Sequence, residues 1–88
     1  MGRTNPTYRD QLSTLEREWS DYRRGLRATE KQHFDRLFEH GREYAHAAGY
    51  RNHPDPMVPL LVSVILAHER ELAAMRERLE EIHDGVHD

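Results

Sequence analysis

Between Pro59 and Asp84 the chain reads PLLVSVILAHERELAAMRERLEEIHD, and within it Leu61, Ile65, His68, Leu72, Met75, Leu79 and Ile82 recur at alternating spacings of four and three. Those spacings hold all seven on one stripe of an α-helix, the heptad seam of a coiled coil. The first half of the stretch is apolar beyond that stripe as well. Leu60, Leu61, Val62, Val64, Ile65, Leu66 and Ala67 cover the whole circumference, with only Ser63 interrupting. A helix apolar on every side is expected to be buried on every side. Beyond Glu69 the positions off the seam turn to Arg and Glu, so the C-terminal half needs a partner on one side only. At ~1.5 Å per residue the stretch is roughly 39 Å long, and it belongs to the third and longest helix the pattern predicts, about residues 57–84.

The same four-three alternation runs through Tyr8, Leu12, Leu15, Trp19, Tyr22 and Leu26, predicting a first helix over about 6–24. Asn5 can cap it ahead of Pro6, whose missing N–H is not needed at the first helical position. Gly25, after Arg23 and Arg24, suits a left-handed cap with Leu26 folded back as its apolar contact. Thr29 followed by Gln32 forms a capping-box pattern and opens a second helix over about 30–48. Phe34, Leu37, Phe38, Gly41, Ala45 and Ala48 share its apolar face, the small members allowing close approach, and Gly49 is the expected stop. The segment YRNHPDP that follows is a loop by composition. Asp55 can cap the third helix, Pro59 falls in its first turn, and the start lies at Pro56 or Pro59; Gly85 is read as its end.

Short connections predict an all-α, up-down-up three-helix bundle with the first and third helices parallel. That arrangement places Arg23, Arg24 and Arg27 beside Glu77, Glu80 and Glu81, answering acidic charges that are unfavourable at a helix C-terminus. Eighty-eight residues make one domain, and a chain this small buries about 60–70% of its unfolded surface, so a second copy adds substantially to its core. With 36% hydrophobic and 33% charged residues in helical periodicity, the composition suits a bundle better than disorder. There is no cysteine, which excludes disulfides, thiolate nucleophiles and Cys-type zinc sites. Residues 1–52 carry ten Arg or Lys against eight Asp or Glu, a net of +2, and residues 53–88 carry three against eight, a net of −5. No basic-then-apolar signal pattern opens the chain and the apolar run at 57–67 is too short for a bilayer, so a cytoplasmic protein is expected.

The opening MGRTNPTYRD, the central HFDRLFEH with AAGY after it, and NHPDPMVPLLVSVILAHE at the entry to the third helix resemble a family of small, uncharacterised helical proteins from halophilic archaea. The resemblance covers most of the chain. It implies a salty cytoplasm and transfers no activity and no site residue. Lys31 as the single lysine among thirteen basic residues agrees with that setting, while a pI of 6.1 is less acidic than is typical of halophile proteins.

The residues raise four candidate chemistries. Glu43 with His46, and Glu80 with His83, have the Glu-x-x-His spacing of di-metal carboxylate bundles. Measured from Phe34, however, Glu43 lies about 180° and His46 about 120° around the helix, away from the apolar face such ligands must share. His68 alone interrupts the seam, and is read as a hydrogen-bonded boundary residue; across a dimer two copies of it can form a pH-sensitive or metal-binding contact. Arg23, Arg24, Arg27 and Lys31 form a cluster able to contact phosphates, but acidic residues are interleaved, and in molar salt a Debye length of ~3 Å weakens such binding. No Gly-rich phosphate loop or nucleophile–base pattern points to catalysis.

The expectation is a non-enzymatic oligomerisation or protein-interaction protein. It has no catalytic, cofactor or metal residue, and it dimerises through the third helix at Val58, Leu61, Val62, Ile65, Leu66, His68 and Leu72. The alternative is a nucleic-acid-associated accessory protein using the basic end of the first helix, and the third reading is a metal-binding bundle. An unidentified protein partner and no membrane complete the expectation; no seam asparagine chooses between a parallel and an antiparallel dimer.

Overall fold

The computed structural model describes residues 7–86. Over that range the chain is helical without strands, but in five segments rather than three: α1 (Tyr8–Glu18), α2 (Ser20–Arg24), α3 (Ala28–Glu43), α4 (Ala45–Arg51) and α5 (Met57–Val86). The two extra segments arise because each of the first two predicted helices is interrupted at an aromatic residue. Trp19 (φ −97°, ψ 12°) separates α1 from α2, and Tyr44 (φ −103°, ψ 19°) separates α3 from α4. The hydrogen-bond ladder survives both interruptions, with Trp19 N–H donating to Leu15 at 3.0 Å and Ala48 N–H to Tyr44 at 3.0 Å. Apolar spacing is the same on either side of such an interruption, so periodicity cannot register it.

Local chemistry sets the ends. Thr7 caps α1: its hydroxyl accepts from Asp10 N–H at 3.1 Å while the Asp10 carboxylate accepts from Thr7 N–H at 3.1 Å, a reciprocal box. Asn5 and Pro6, expected in that role, lie outside the described residues. α3 opens at Ala28, with Glu30 reaching back to Arg27 N–H at 3.3 Å, two residues earlier than the Thr29–Gln32 pattern suggested. Gly25 keeps right-handed angles (φ −80°, ψ −9°), because the tight bond from Leu26 N–H to Arg23 closes the turn without a left-handed residue. The left-handed cap falls instead on Asn52 (φ 49°, ψ 50°), which carries α4 past Gly49 to Arg51. Asp55 caps α5 as expected, accepting from Met57 N–H at 3.0 Å, and this puts the start at Met57 with Pro59 inside the first turn. Gly85 lies within α5.

The core gathers Leu12 of α1, Phe34 and Phe38 of α3, and Leu60 and Val64 of α5, with Tyr8, Leu15, Leu26, Leu37 and Met57 packed around them. α5 rests chiefly on α3 and also on α4, while α1 packs on α3 and α4. The small face predicted for the second helix is where this happens. Gly41, Ala45 and Ala48 are all buried, and a Cβ on Gly41 would lie 2.6 Å from Leu60 Cδ1 and 3.3 Å from Leu12 Cδ1. Two ion pairs strap α3 to α5. Arg70 grips Glu43 at 2.7 Å and donates to the Tyr44 hydroxyl at 2.8 Å, and Arg36 reaches Glu71 at 3.4 Å.

The charge pairing expected of parallel first and third helices does not form. Arg23 is bound by Asp35 of α3 at 2.8 and 2.9 Å, Arg24 pairs with Asp21 one turn back, and no ion pair among the described residues reaches Glu77, Glu80 or Glu81. The reason is geometric: the C-terminal half of α5 runs on beyond the other four helices. The molecule measures 70 × 33 × 16 Å, with a radius of gyration of 17.4 Å where about 12 Å describes a compact chain of this length.

Candidate functional site

α5 has two apolar faces, and only one is used inside the chain. Pro59, Leu60, Ser63, Val64 and Ala67 are buried against α3 and α4. The heptad seam lies on the other face. Leu61, Ile65, Leu72, Met75, Leu79 and Ile82 are between 47% and 66% exposed, and Val58, Val62 and Leu66 join them beside the seam. The all-round apolar half of the helix is therefore covered on one side only, against the expectation of complete burial. Every residue named for the interface, Val58, Leu61, Val62, Ile65, Leu66, His68 and Leu72, is exposed.

The seam is flanked by further apolar surface. On one side it borders a groove of about 400 Å³ whose walls include Trp19, Tyr22, Leu26, Leu37 and Leu61. On the other side, Tyr44, Ala48, Val58, Val62 and Leu66 line a second groove of about 430 Å³. Trp19 and Tyr22, on the four-three stripe of the first predicted helix, are 41% and 55% exposed and meet edge to face at 5.6 Å on the rim of the first groove. The total accessible surface is 7190 Å², against about 5,400 Å² for a compact globule of 10.5 kDa. The difference exceeds the ~800 Å² that each partner contributes to a standard protein–protein interface.

His68 sits at the boundary, as expected, but its neighbour was not foreseen. His40 of α3 is 5% exposed and meets the His68 ring edge to face, centroids 5.8 Å apart. Its Nδ1 lies 3.6 Å from Glu43 and its Nε2 3.8 Å from Glu71. The helix-face pattern could not find it, because His40 lies off the apolar stripe of α3 and is buried only where α5 crosses. Arg70 holds the Glu43 carboxyl below its ordinary value, chiefly through the hydrogen bond it donates, with a smaller contribution from His40.

The Glu43–His46 pair has other partners. Glu43 is committed to Arg70 and His46 meets Tyr50 edge to face, and among the described residues no three His, Asp or Glu side chains converge as a metal site requires. In the basic cluster, Arg23 and Arg24 are already neutralised within the chain, the Asp35 hydrogen bond holding Arg23 more firmly charged and Asp35 more firmly ionised. Arg27 and Lys31 have no ion pair among the described residues. No described helix is long and apolar enough to cross a membrane.

A family profile described as a domain of unknown function (DUF8156) matches residues 1–88, the whole chain. The chain belongs to the DUF8156 family. No curated protein and no solved structure is similar to it.

Proposed function

We propose that this DUF8156 chain is a non-enzymatic oligomerisation and protein-interaction protein, whose working unit is a homodimer centred on the outer face of α5. The observation that carries this reading is the separation of the two faces. A seam of coiled-coil spacing stays exposed over the full length of α5 while a different set of residues, Leu60, Val64 and Ala67, serves the chain's own core. Large exposed apolar surface of this kind marks an interaction site, and a heptad seam fits a second helix of the same kind. The proposed setting is a saline cytoplasm, which the near absence of lysine supports and in which apolar contact is a better basis for association than exposed charge.

Light scattering on the full chain in low salt and in molar KCl tests the proposal. A dimer in both, free of bound metal and nucleic acid, is the expected result. A folded monomer at all concentrations up to the millimolar range would overturn it.

A further inference from the structure

Resting on that dimer, we infer that the two copies of α5 pair antiparallel, in a register that sets Leu72 against the partner's Met75. The arm of each chain beyond residue 72 then covers the exposed face of the other chain's body.

The seam is compatible with reversal. With one helix turned end for end about a point between Ala73 and Ala74, Ile65 meets the partner's Ile82 and His68 meets the partner's Leu79, so every layer holds one large apolar residue or more. The charges beside the seam then decide the sense. Glu69 and Arg76 flank one side of it, and Glu71 and Arg78 flank the other. In an antiparallel pair each flank faces its own counterpart, so Glu69 meets the partner's Arg76 and Glu71 the partner's Arg78, four opposite-charge contacts by symmetry. A parallel pair brings opposite flanks together and retains only Glu71 with the partner's Arg76. Among the described residues Glu69, Arg76 and Arg78 have no ion pair within the chain, so they enter the interface uncommitted; Glu71 is shared with Arg36 at 3.4 Å.

Two further observations agree. Glu77, Glu80, Glu81 and Asp84 crowd the C-terminal turns of α5, where negative charge already opposes the helix dipole. Parallel pairing would gather two such ends together, while antiparallel pairing separates them and lays each acidic arm on the partner's body, whose residues 1–52 carry the positive balance. The arm's Met75, Leu79 and Ile82 are also 59–66% exposed within the chain, and reversal covers them with the partner's Leu72, His68 and Ile65.

The charge pairs and the end-to-end spacing can be read separately from dimerisation. Glu69→Arg and Arg76→Glu are each expected to weaken the dimer about tenfold at low salt, and the double variant to return it to within about threefold of the parent. In a parallel pair Glu69 meets no charge, so restoration is not expected. Since the chain has no cysteine, Gly85→Cys provides a single spin-label site on an exposed turn. The antiparallel register places the two labels roughly 35 Å apart along the axis at ~1.5 Å per residue, and the parallel one under about 20 Å. A dimer with the short spacing would overturn the antiparallel inference and leave the dimer standing. The long spacing without charge rescue would overturn the stated register, and a monomer throughout would overturn both the inference and the reading beneath it.

Discussion

Leu60 Cδ1 occupies the space that a side chain on Gly41 would need: the distance from that Cδ1 to the Cβ position is 2.6 Å, and Leu12 closes the other side at 3.3 Å. Leu60 is 4% exposed and Leu12 fully buried, so neither has room to withdraw. Replacing Gly41 with Ala gains up to ~1 kcal/mol of helix propensity but overpacks the site, a cost of about 1–3 kcal/mol. A net loss of about 1 kcal/mol, read as a lower urea midpoint at unchanged m-value, is the expected outcome for Gly41→Ala, and a larger loss for Gly41→Val.

Gly49 is the counterpart. It lies inside α4 with right-handed angles, and nothing would come within 4 Å of its Cβ. Gly49→Ala should therefore stabilise the chain by ~0.5–1 kcal/mol, through propensity and a less disordered unfolded state. A lower midpoint for this variant would show that α4 does not end at Asn52.

Ile65→Asp separates association from folding. Because Ile65 is 66% exposed and outside the core, its replacement should abolish dimerisation while the helical circular dichroism and the cooperative unfolding of the monomer persist. Leu12→Ala should do the reverse, costing about 2–5 kcal/mol of fold stability without touching the seam. An Ile65→Asp chain that is unfolded would place that residue in the core after all.

Acid should loosen the contacts that α3 makes with α5 and with α2. The Glu43 carboxyl is held below its ordinary value of 4.5, first by the Arg70 hydrogen bond, and Asp35 below 3.8, first by that of Arg23. A group whose folded pKa is depressed contributes stability above its unfolded pKa and loses it as pH falls through the folded one. The melting temperature should thus decline as pH falls below ~4.5, and the difference between parent and Glu43→Gln should shrink over the same interval. A constant difference down to pH 2 would mean that the Arg70 contact is not stabilising.

The Tyr8 hydroxyl is buried beside Ser63 without good hydrogen-bond geometry, and burial raises its pKa. Removing a poorly satisfied buried hydroxyl should cost nothing, so Tyr8→Phe is expected to match or exceed the parent in thermal stability. A loss of ~1 kcal/mol or more would reveal a true bond to Ser63.

Much of this architecture was legible in the order of the residues. The seam from Leu61 to Ile82, the apolar face from Phe34 to Ala48 and the cap at Asp55 follow from helix geometry and from the backbone groups left over at helix ends, which act within a few residues of one another. The interruptions at Trp19 and Tyr44 did not follow, since apolar spacing continues unbroken through them. Nor did the cap at Asn52, where a left-handed residue displaced the glycine that propensity favours. Which of the two apolar faces of α5 meets α3, why His40 is buried, and why Arg23 turns to Asp35 rather than to the acidic end of α5 were decided only in three dimensions. Each depends on where one helix crosses another, and that is set by the space at Gly41 and the fit of Leu12, Leu60 and Val64, not by the period of any single helix.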